Sequence, residues 1–241
     1  MKFFPTSVFF VSVMFAGSVT LMAQTADEIV QKHVDAVGGA ANWKKVNSIK
    51  LTGSMNAGGV EFPITVTTVD RKGYRMEFSM NGIINYSILT PNSGWMYFPT
   101  QGQTKPEAMP AEMIKDQDDQ LDASMDALID YKAKGNKVAY LGKDEVEGTE
   151  CHKLKVTHKN GKEETLYLDL NTYYTIRSVE KSTAEGKETE EVSNLGDYQK
   201  LPEGIMFPMS VEADGTPMKI KKVEINIPVD ENIFKPTEIK K

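Results

Sequence analysis

Residues 66–99, VTTVDRKGYRMEFSMNGIINYSILTPNSGWMYFP, constrain the fold of this chain more than any other stretch. At a period of two they separate into three strand-like runs: Tyr74, Met76, Phe78 and Met80; then Ile84, Tyr86 and Ile88; then Trp95 and Tyr97. Asn81-Gly82, between the first two, accepts the positive φ of a tight type I′ turn and is a strong hairpin signal. Pro91-Asn92-Ser93-Gly94 makes the second break, with φ preset by the proline and a closing glycine. The pattern predicts an antiparallel meander with one face rich in methionine and aromatic side chains. Such a face either packs as ordinary core or accepts an apolar ligand, because large, soft side chains repack around irregular shapes.

The N-terminus sets the expected compartment. Lys2, a mostly apolar run over residues 3–15 and the Ala23-Gln24 step read as a secretory signal peptide over residues 1–23, cleaved near Ala23. Pro5, Thr6, Ser7 and Ser12 interrupt the run, which is too short and too broken for a membrane span. The expectation is an exported, periplasmic protein whose residues 24–241 form one domain, acting as a monomer. With 34 acidic residues against 28 basic ones, the chain lacks the basic stripe that a nucleic-acid partner demands. Cys151 is the only cysteine, so no intrachain disulfide forms and stability rests on a hydrophobic core.

After the leader, Thr25 or Asp27 can cap a helix that places Ile29, Val30, His33, Val34 and Val37 on one face, and Gly38-Gly39 ends it. A further helical turn holds Trp43 and Val46. Strands follow around Ile49, Leu51 and Met55 and around Phe62, Ile64 and Val66, with Pro63 marking an edge or a bulge. Between Pro106 and Tyr131 the period changes: Met109, Met113, Leu121, Met125, Leu128 and Ile129 alternate with Asp116, Asp118, Asp119, Asp122 and Asp126 as on an amphipathic helix in two pieces. The acidic run is not a calcium loop, since Leu121 stands where the loop needs glycine and Ala127 where it needs glutamate. A Met-bearing helix over a Met- and aromatic-lined sheet can shift to admit a ligand.

Strand patterns then continue to residue 227, giving about ten or eleven strands, too many for a twisted sheet to stay flat. The predicted fold is mainly β with two helical segments: a single curved antiparallel sheet forming an incomplete, half-open β-barrel, with helices covering or plugging the concave face. Catalysis finds little support. His152 and His158 share a strand face but lie roughly 20 Å apart on a straight strand, and Cys151 points away from His152. No Gly-x-Ser-x-Gly, phosphate loop, HExxH or CxxC occurs, so neither enzyme nor cofactor nor metal site is expected.

The order of these pieces resembles the LolA/LolB lipoprotein-localisation family. The resemblance rests on the first helix, on Val69-Asp70-Arg71-Lys72-Gly73-Tyr74-Arg75, on Gly94-Trp95-Met96-Tyr97-Phe98-Pro99 with Gln101 and Gln103, on Leu166-Tyr167-Leu168-Asp169 with Ile176-Arg177, and on residues 224–234, EINIPVDENIF. It implies a carrier whose apolar cavity, between sheet and helices, holds the acyl chain of a lipid or lipoprotein and exchanges it with a membrane-associated donor or acceptor protein. It also implies an arginine on an early strand that holds the helical lid shut, matched here by Arg71 and next by Arg75, although Lys72 stands where the family pairs its arginine with proline. The expected ligand-binding residues are Tyr74, Met76, Phe78, Tyr86, Trp95, Tyr97, Met113, Leu121 and Met125. A non-enzymatic sensor or scaffold that binds a protein partner is the alternative use of the same fold.

Overall fold

The computed structural model describes residues 24–184 and 187–237; the predicted leader, residues 1–23, lies outside them. Helix α1 (Ala26–Ala36) begins with a capping box in which the Thr25 hydroxyl accepts from the Glu28 N–H and the Glu28 carboxylate accepts from the Thr25 N–H. Its inward stripe of Ile29, Val30, His33 and Val34 is buried. The short α2 (Ala40–Trp43) follows Gly39 and buries Trp43, whose indole N–H donates to the Val37 carbonyl at 3.0 Å.

Thirteen strands then form one antiparallel sheet. Six belong to an N-terminal meander: β1 (Ser48–Ala57), β2 (Val60–Val69), β3 (Gly73–Met80), β4 (Ile83–Thr90), β5 (Ser93–Tyr97) and β6 (Glu107–Ala108). Seven belong to a C-terminal one: β7 (Lys137–Val146), β8 (Thr149–Thr157), β9 (Glu163–Asp169), β10 (Thr175–Ala184), β11 (Lys187–Lys200), β12 (Met206–Ala213) and β13 (Thr216–Ile225). Every neighbour in the sheet is also a neighbour in sequence, except where β1 pairs with β13 from Ile49↔Ile225 to Met55↔Met218. That one long-range ladder joins the two meanders, and β6 and β7 remain at the free ends, so the sheet is curved and open as expected. Pro63 sits where the pairing of β2 with β3 stops, at Ile64↔Phe78, so its missing N–H breaks no ladder there.

The structure corrects two sequence expectations. The amphipathic segment is not two helices but α3 (Ala111–Asp116), a 3-10 turn (Asp118–Leu121), an irregular stretch over residues 122–130 and α4 (Tyr131–Lys134). Two of its acidic residues bond the local main chain instead of facing solvent on a helix: Asp122 Oδ1 accepts from the Ser124 N–H and Asp126 Oδ1 from the Leu128 N–H, each at 2.9 Å. Such side-chain bonds offer the backbone an alternative to helical pairing, and Met125 and Asp130 turn the chain at φ 52° and 48°.

The second correction concerns the meander face. Both hairpins close through two-residue turns, Met80↔Ile83 and Thr90↔Ser93, so even-numbered residues of β3 lie opposite odd-numbered residues of β4. Tyr74, Met76 and Phe78 pair with Leu89, Ser87 and Asn85 on the concave face, whereas Tyr86 and Ile88 pair with Glu77 and Arg75 on the convex one, together with Tyr97 and Trp95. The single aromatic face is therefore two faces.

Each face has its own cover. On the concave side, Ile29, Val30, Val34 and Val37 pack with Leu154, Val156, Leu166, Leu168, Ile205 and Phe207, and Ala123, Leu128 and Ile129 of the connecting segment complete that core. A fully buried aliphatic side chain contributes about 1.5–3 kcal/mol, so this contact anchors α1 firmly. On the convex side the C-terminal tail lays Val229, Ile233 and Phe234 over Tyr86, Ile88, Tyr97 and Val69. Gly73 is required beneath it, because a Cβ there would stand 2.5 Å from the Phe234 ring.

Candidate functional site

The candidate site lies between the concave sheet and the segment 109–136 that crosses it. A cavity of about 840 Å³ is floored by Leu51, Val66, Tyr74, Val211 and Met218 and roofed by residues of that segment from Asp118 to Asn136. A second cavity of about 280 Å³ reaches inward to Val37, Trp43, Leu166 and Phe207, and shares Leu51, Met125, Val211 and Met218 with the first. Their sizes fall in or just below the roughly 300–1,000 Å³ typical of small-molecule sites. The smaller cavity is lined mostly by apolar side chains and the larger one by more polar ones, and Asp126, Glu164 and Ser193 also lie in the wall they share.

The roof is held by polar contacts along its length. Met109 donates its N–H to the Gly94 carbonyl at 2.9 Å, and the Arg71 N–H donates to the Leu121 carbonyl at 2.8 Å. Asp70 Oδ1 accepts from the Ala123 N–H at 3.2 Å. Lys162, on the β8–β9 hairpin, binds Asp119 of the roof at 2.8 Å and Glu180 of β10 at 3.1 Å. Lys134 donates to the Ser124 hydroxyl at 2.8 Å and to the Asp126 carbonyl at 2.7 Å, and pairs with Asp122. These bonds fix the irregular stretch where a regular helix is absent.

The deepest fastening is His33. Its Nδ1–H donates to the Tyr173 carbonyl at 2.7 Å, which leaves Nε2 facing Asp126 Oδ2 at 2.8 Å. Both ring nitrogens thus meet acceptors, an arrangement suited to the imidazolium. Burial alone pulls the His33 imidazole down, but the Asp126 carboxylate and the Tyr173 carbonyl outweigh it, and the net shift is upward. Asp126 responds in the matching sense: burial pushes it up, and His33 and the Leu128 N–H bring it below the ordinary carboxylate range. The pair ties α1 to the roof across the inner end of the cavities.

The predicted ligand-binding residues fall into three groups. Tyr74 and Met125 line the larger cavity, and Met125 lines the smaller one as well. Met76 and Phe78 lie on the same concave face, packed against the main core, with the Phe78 ring 5.4 Å from Phe62 and 6.1 Å from Phe98. Met113 and Leu121 join Leu89 and Met109 in a small cluster that seats the roof on β4 and β5. Tyr86, Trp95 and Tyr97 lie on the convex face under the tail, and neither cavity reaches them.

The two candidate lid-holding arginines also part. Arg71 lines the larger cavity, and its contact with the roof is made by its main chain. Arg75 is on the other side of the sheet, its guanidinium 4.3 Å from the Tyr86 ring, bonded to the Ile233 carbonyl at 3.1 Å and to Glu77 at 2.7 Å. It holds the tail. Sequence reasoning missed the floor residues Leu51, Val66, Val211 and Met218 and the charged fastenings Lys134, His158, Lys162 and Glu164. The alternation of the strands marked the floor residues as apolar, but only the β1–β13 ladder brings them together. Among the described residues no group of three or more His, Cys, Asp or Glu is placed to hold a metal ion.

An open, curved antiparallel sheet whose concave face is crossed by a short-helix segment is the LolA-like fold. A LolA superfamily protein from Nitrosomonas europaea superposes with a TM-score of 0.56 at 10% sequence identity, over 88% of this chain and 98% of that one. A domain described as an outer membrane lipoprotein-sorting protein from Vibrio parahaemolyticus superposes with a TM-score of 0.52 at 12% identity, over 86% of this chain and 94% of that one. At these identities the likeness is one of fold. No family model matches the sequence, and no curated protein matches it.

Proposed function

We propose that this chain is an exported, non-catalytic carrier that holds the acyl chain of a lipid or lipoprotein, or another apolar ligand, between its curved sheet and the segment 109–136. The observation that carries the reading is the pair of cavities with shared walls, of which the smaller is lined mostly by apolar side chains. A barrel filled with its own side chains, as a pure scaffold for a protein partner could be, has no need of that space. In this reading residues 1–23 are a leader cleaved near Ala23, residues 24–241 act as one monomeric domain in the periplasm, and the ligand passes to or from a membrane-associated protein. The neighbour with a lipoprotein-sorting description supports the choice of cargo class through its fold.

The test is native mass spectrometry of the protein purified from its host without detergent, followed by extraction and identification of whatever is bound. A lipid or acylated peptide at near-stoichiometric amount is the expected result. An empty protein that also fails to bind an apolar fluorescent probe overturns the carrier reading and leaves the scaffold.

A further inference from the structure

The charges around the larger cavity specify more about the ligand than its apolar part. Five carboxylates line this space, which by simple count suggests a cationic ligand. The pairing reverses that impression. Asp119 is bound to Lys162, Asp122 to Lys134, Asp126 to His33 and Glu164 to His158, while Asp118 accepts from the Asn160 side chain at 3.1 Å. Each acid therefore has a donor already, although one oxygen, Asp119 Oδ1, is buried without one.

The basic side chains that line this cavity divide differently. Lys134 and His158 are committed to these carboxylates. Among the described residues, the guanidinium of Arg71 and the ammonium of Lys159 have no hydrogen-bond or ion-pair partner, and neither has the Tyr74 hydroxyl. Arg71 is also held in an uncommon conformation, at φ 54°, by its N–H bond to the Leu121 carbonyl. A bulky residue kept in the left-handed region is strained, and such strain concentrates at functional sites. The same bond sets Arg71 against the roof two residues from Asp119. Burial, with Asp119 adding to it, pushes the Tyr74 phenol far above its ordinary range, so it remains a donor.

We infer that the larger cavity accepts an amphipath with an acidic head, a carboxylate or a phosphate monoester, whose anion is held at the rim by Arg71 and Lys159 with the Tyr74 hydroxyl, while its chain lies on Leu51, Val66, Val211 and Met218. This rests on the carrier reading and adds the chemistry of the head. Arg71 can meet either anion with two parallel N–H bonds, and Lys159 contributes a point charge.

The experiment compares binding of hexadecanoic acid, its methyl ester and hexadecyl phosphate to the delipidated full mature chain at neutral pH, by displacement of an apolar fluorescent probe. The acid is expected to bind roughly ten- to a hundredfold more tightly than the ester, the range set by hydrogen bonds to a charged group. Arg71→Gln is expected to bring that ratio close to one, Lys159→Gln to lower it by a smaller factor, and Arg71→Lys to keep part of it. Added salt should reduce the ratio in the wild-type protein, because rim charges are screened. The phosphate arm separates the two sources of the anion: tighter binding than the carboxylate identifies a phosphate-monoester head of the phosphatidate type, weaker binding a free fatty acid. Equal binding of acid and ester by the wild-type protein overturns the acidic-head inference and leaves the carrier standing. A preference that survives both Arg71→Gln and Lys159→Gln overturns the residue assignment, and binding of none of the three overturns the carrier reading itself.

Discussion

The sheet is covered on both faces, and the two covers differ in the share of charge that holds them. The convex cover, the tail over residues 226–237, is apolar and close-fitting: Phe234 sits directly on Gly73, and Tyr86 closes the end by donating to the Thr237 carbonyl at 2.8 Å and accepting from the Thr237 N–H at 3.0 Å. The concave cover, residues 109–136, is anchored by Met109, Leu121, Leu128 and Ile129, but between and around these anchors it is stitched down by ion pairs and main-chain bonds over the cavities. Close apolar packing forfeits much of its attraction when it opens by even a fraction of an ångström. Hydrogen-bonded charges can exchange their partners for water, so residues 124–127, held by them between the buried Leu121 and Leu128, can loosen at less cost than the tail. On the carrier reading proposed above, the tail is the permanent cover and the charged part of segment 109–136 is the one that moves to admit a ligand.

That contrast can be broken most severely on the convex side. Phe234→Ala should cost about 3–5 kcal/mol of stability, the usual range for a buried phenylalanine, read as a fall in the denaturant midpoint. Probe binding in the concave cavities should remain intact below the transition. If the probe is lost before the protein unfolds, the two covers are coupled and the contrast is wrong.

On the concave side, Asp126→Asn removes the charged acceptor from His33 and should cost about 2–3 kcal/mol, as for a hydrogen bond to a charged group. Its distinguishing effect is local: amide exchange over residues 122–130 should accelerate more than exchange in β8 and β9, and a bound apolar probe should leave faster. Uniform acceleration across the sheet would show that the pair supports the whole fold.

pH sharpens the comparison further, with a sign set by the pair. His33 has a raised folded-state pKa, so its contribution is complete below its unfolded value near 6.5 and is lost as pH rises through the folded value. A single proton limits the slope to about 1.4 kcal/mol per pH unit. Asp126, lowered, contributes above its unfolded value near 3.8 and loses that contribution as pH falls through the folded one. Between pH 6 and 9 the lid segment should therefore open progressively while the tail does not, as hydrogen exchange corrected for intrinsic rates can show. Asp126→Asn should flatten the dependence.

The smallest effect is expected from Lys72→Ala. Its bond to Glu231 joins the tail to the β2–β3 turn at 2.9 Å, but both side chains are more than 60% exposed. The change in stability should stay below about 1 kcal/mol, and a larger loss would mean that the tail depends on charge after all.

Much of this architecture is legible in local sequence. The strands of both meanders announce themselves by alternation, and Asn81-Gly82 fixes a two-residue hairpin through the positive φ of both residues, observed at 52° and 78°. The division of the aromatic residues between two faces follows from the same turn. A two-residue loop sets Met80 opposite Ile83, so an even position faces with an odd one, and Tyr86 could not share a face with Tyr74. Reading all even positions as one face missed this, although the information was present.

What the sequence by itself determined is what depends on neighbours a few residues apart: the strands, their turns, the cap of α1 and the apolar character of both faces. The tertiary structure decided the rest. The ladder from β1 to β13 joins residues 176 apart at Ile49↔Ile225, and it brings the hairpin pair Leu51↔Val66 beside the hairpin pair Val211↔Met218 to make the cavity floor. The His33–Asp126 pair spans 93 residues, and the Arg75 bond to the tail spans 158. No periodicity encodes such a partner, because an acid on a solvated helix face and an acid buried against a histidine have the same local pattern. Only the closed loop of chain distinguishes them, by removing one from water and leaving the other in it.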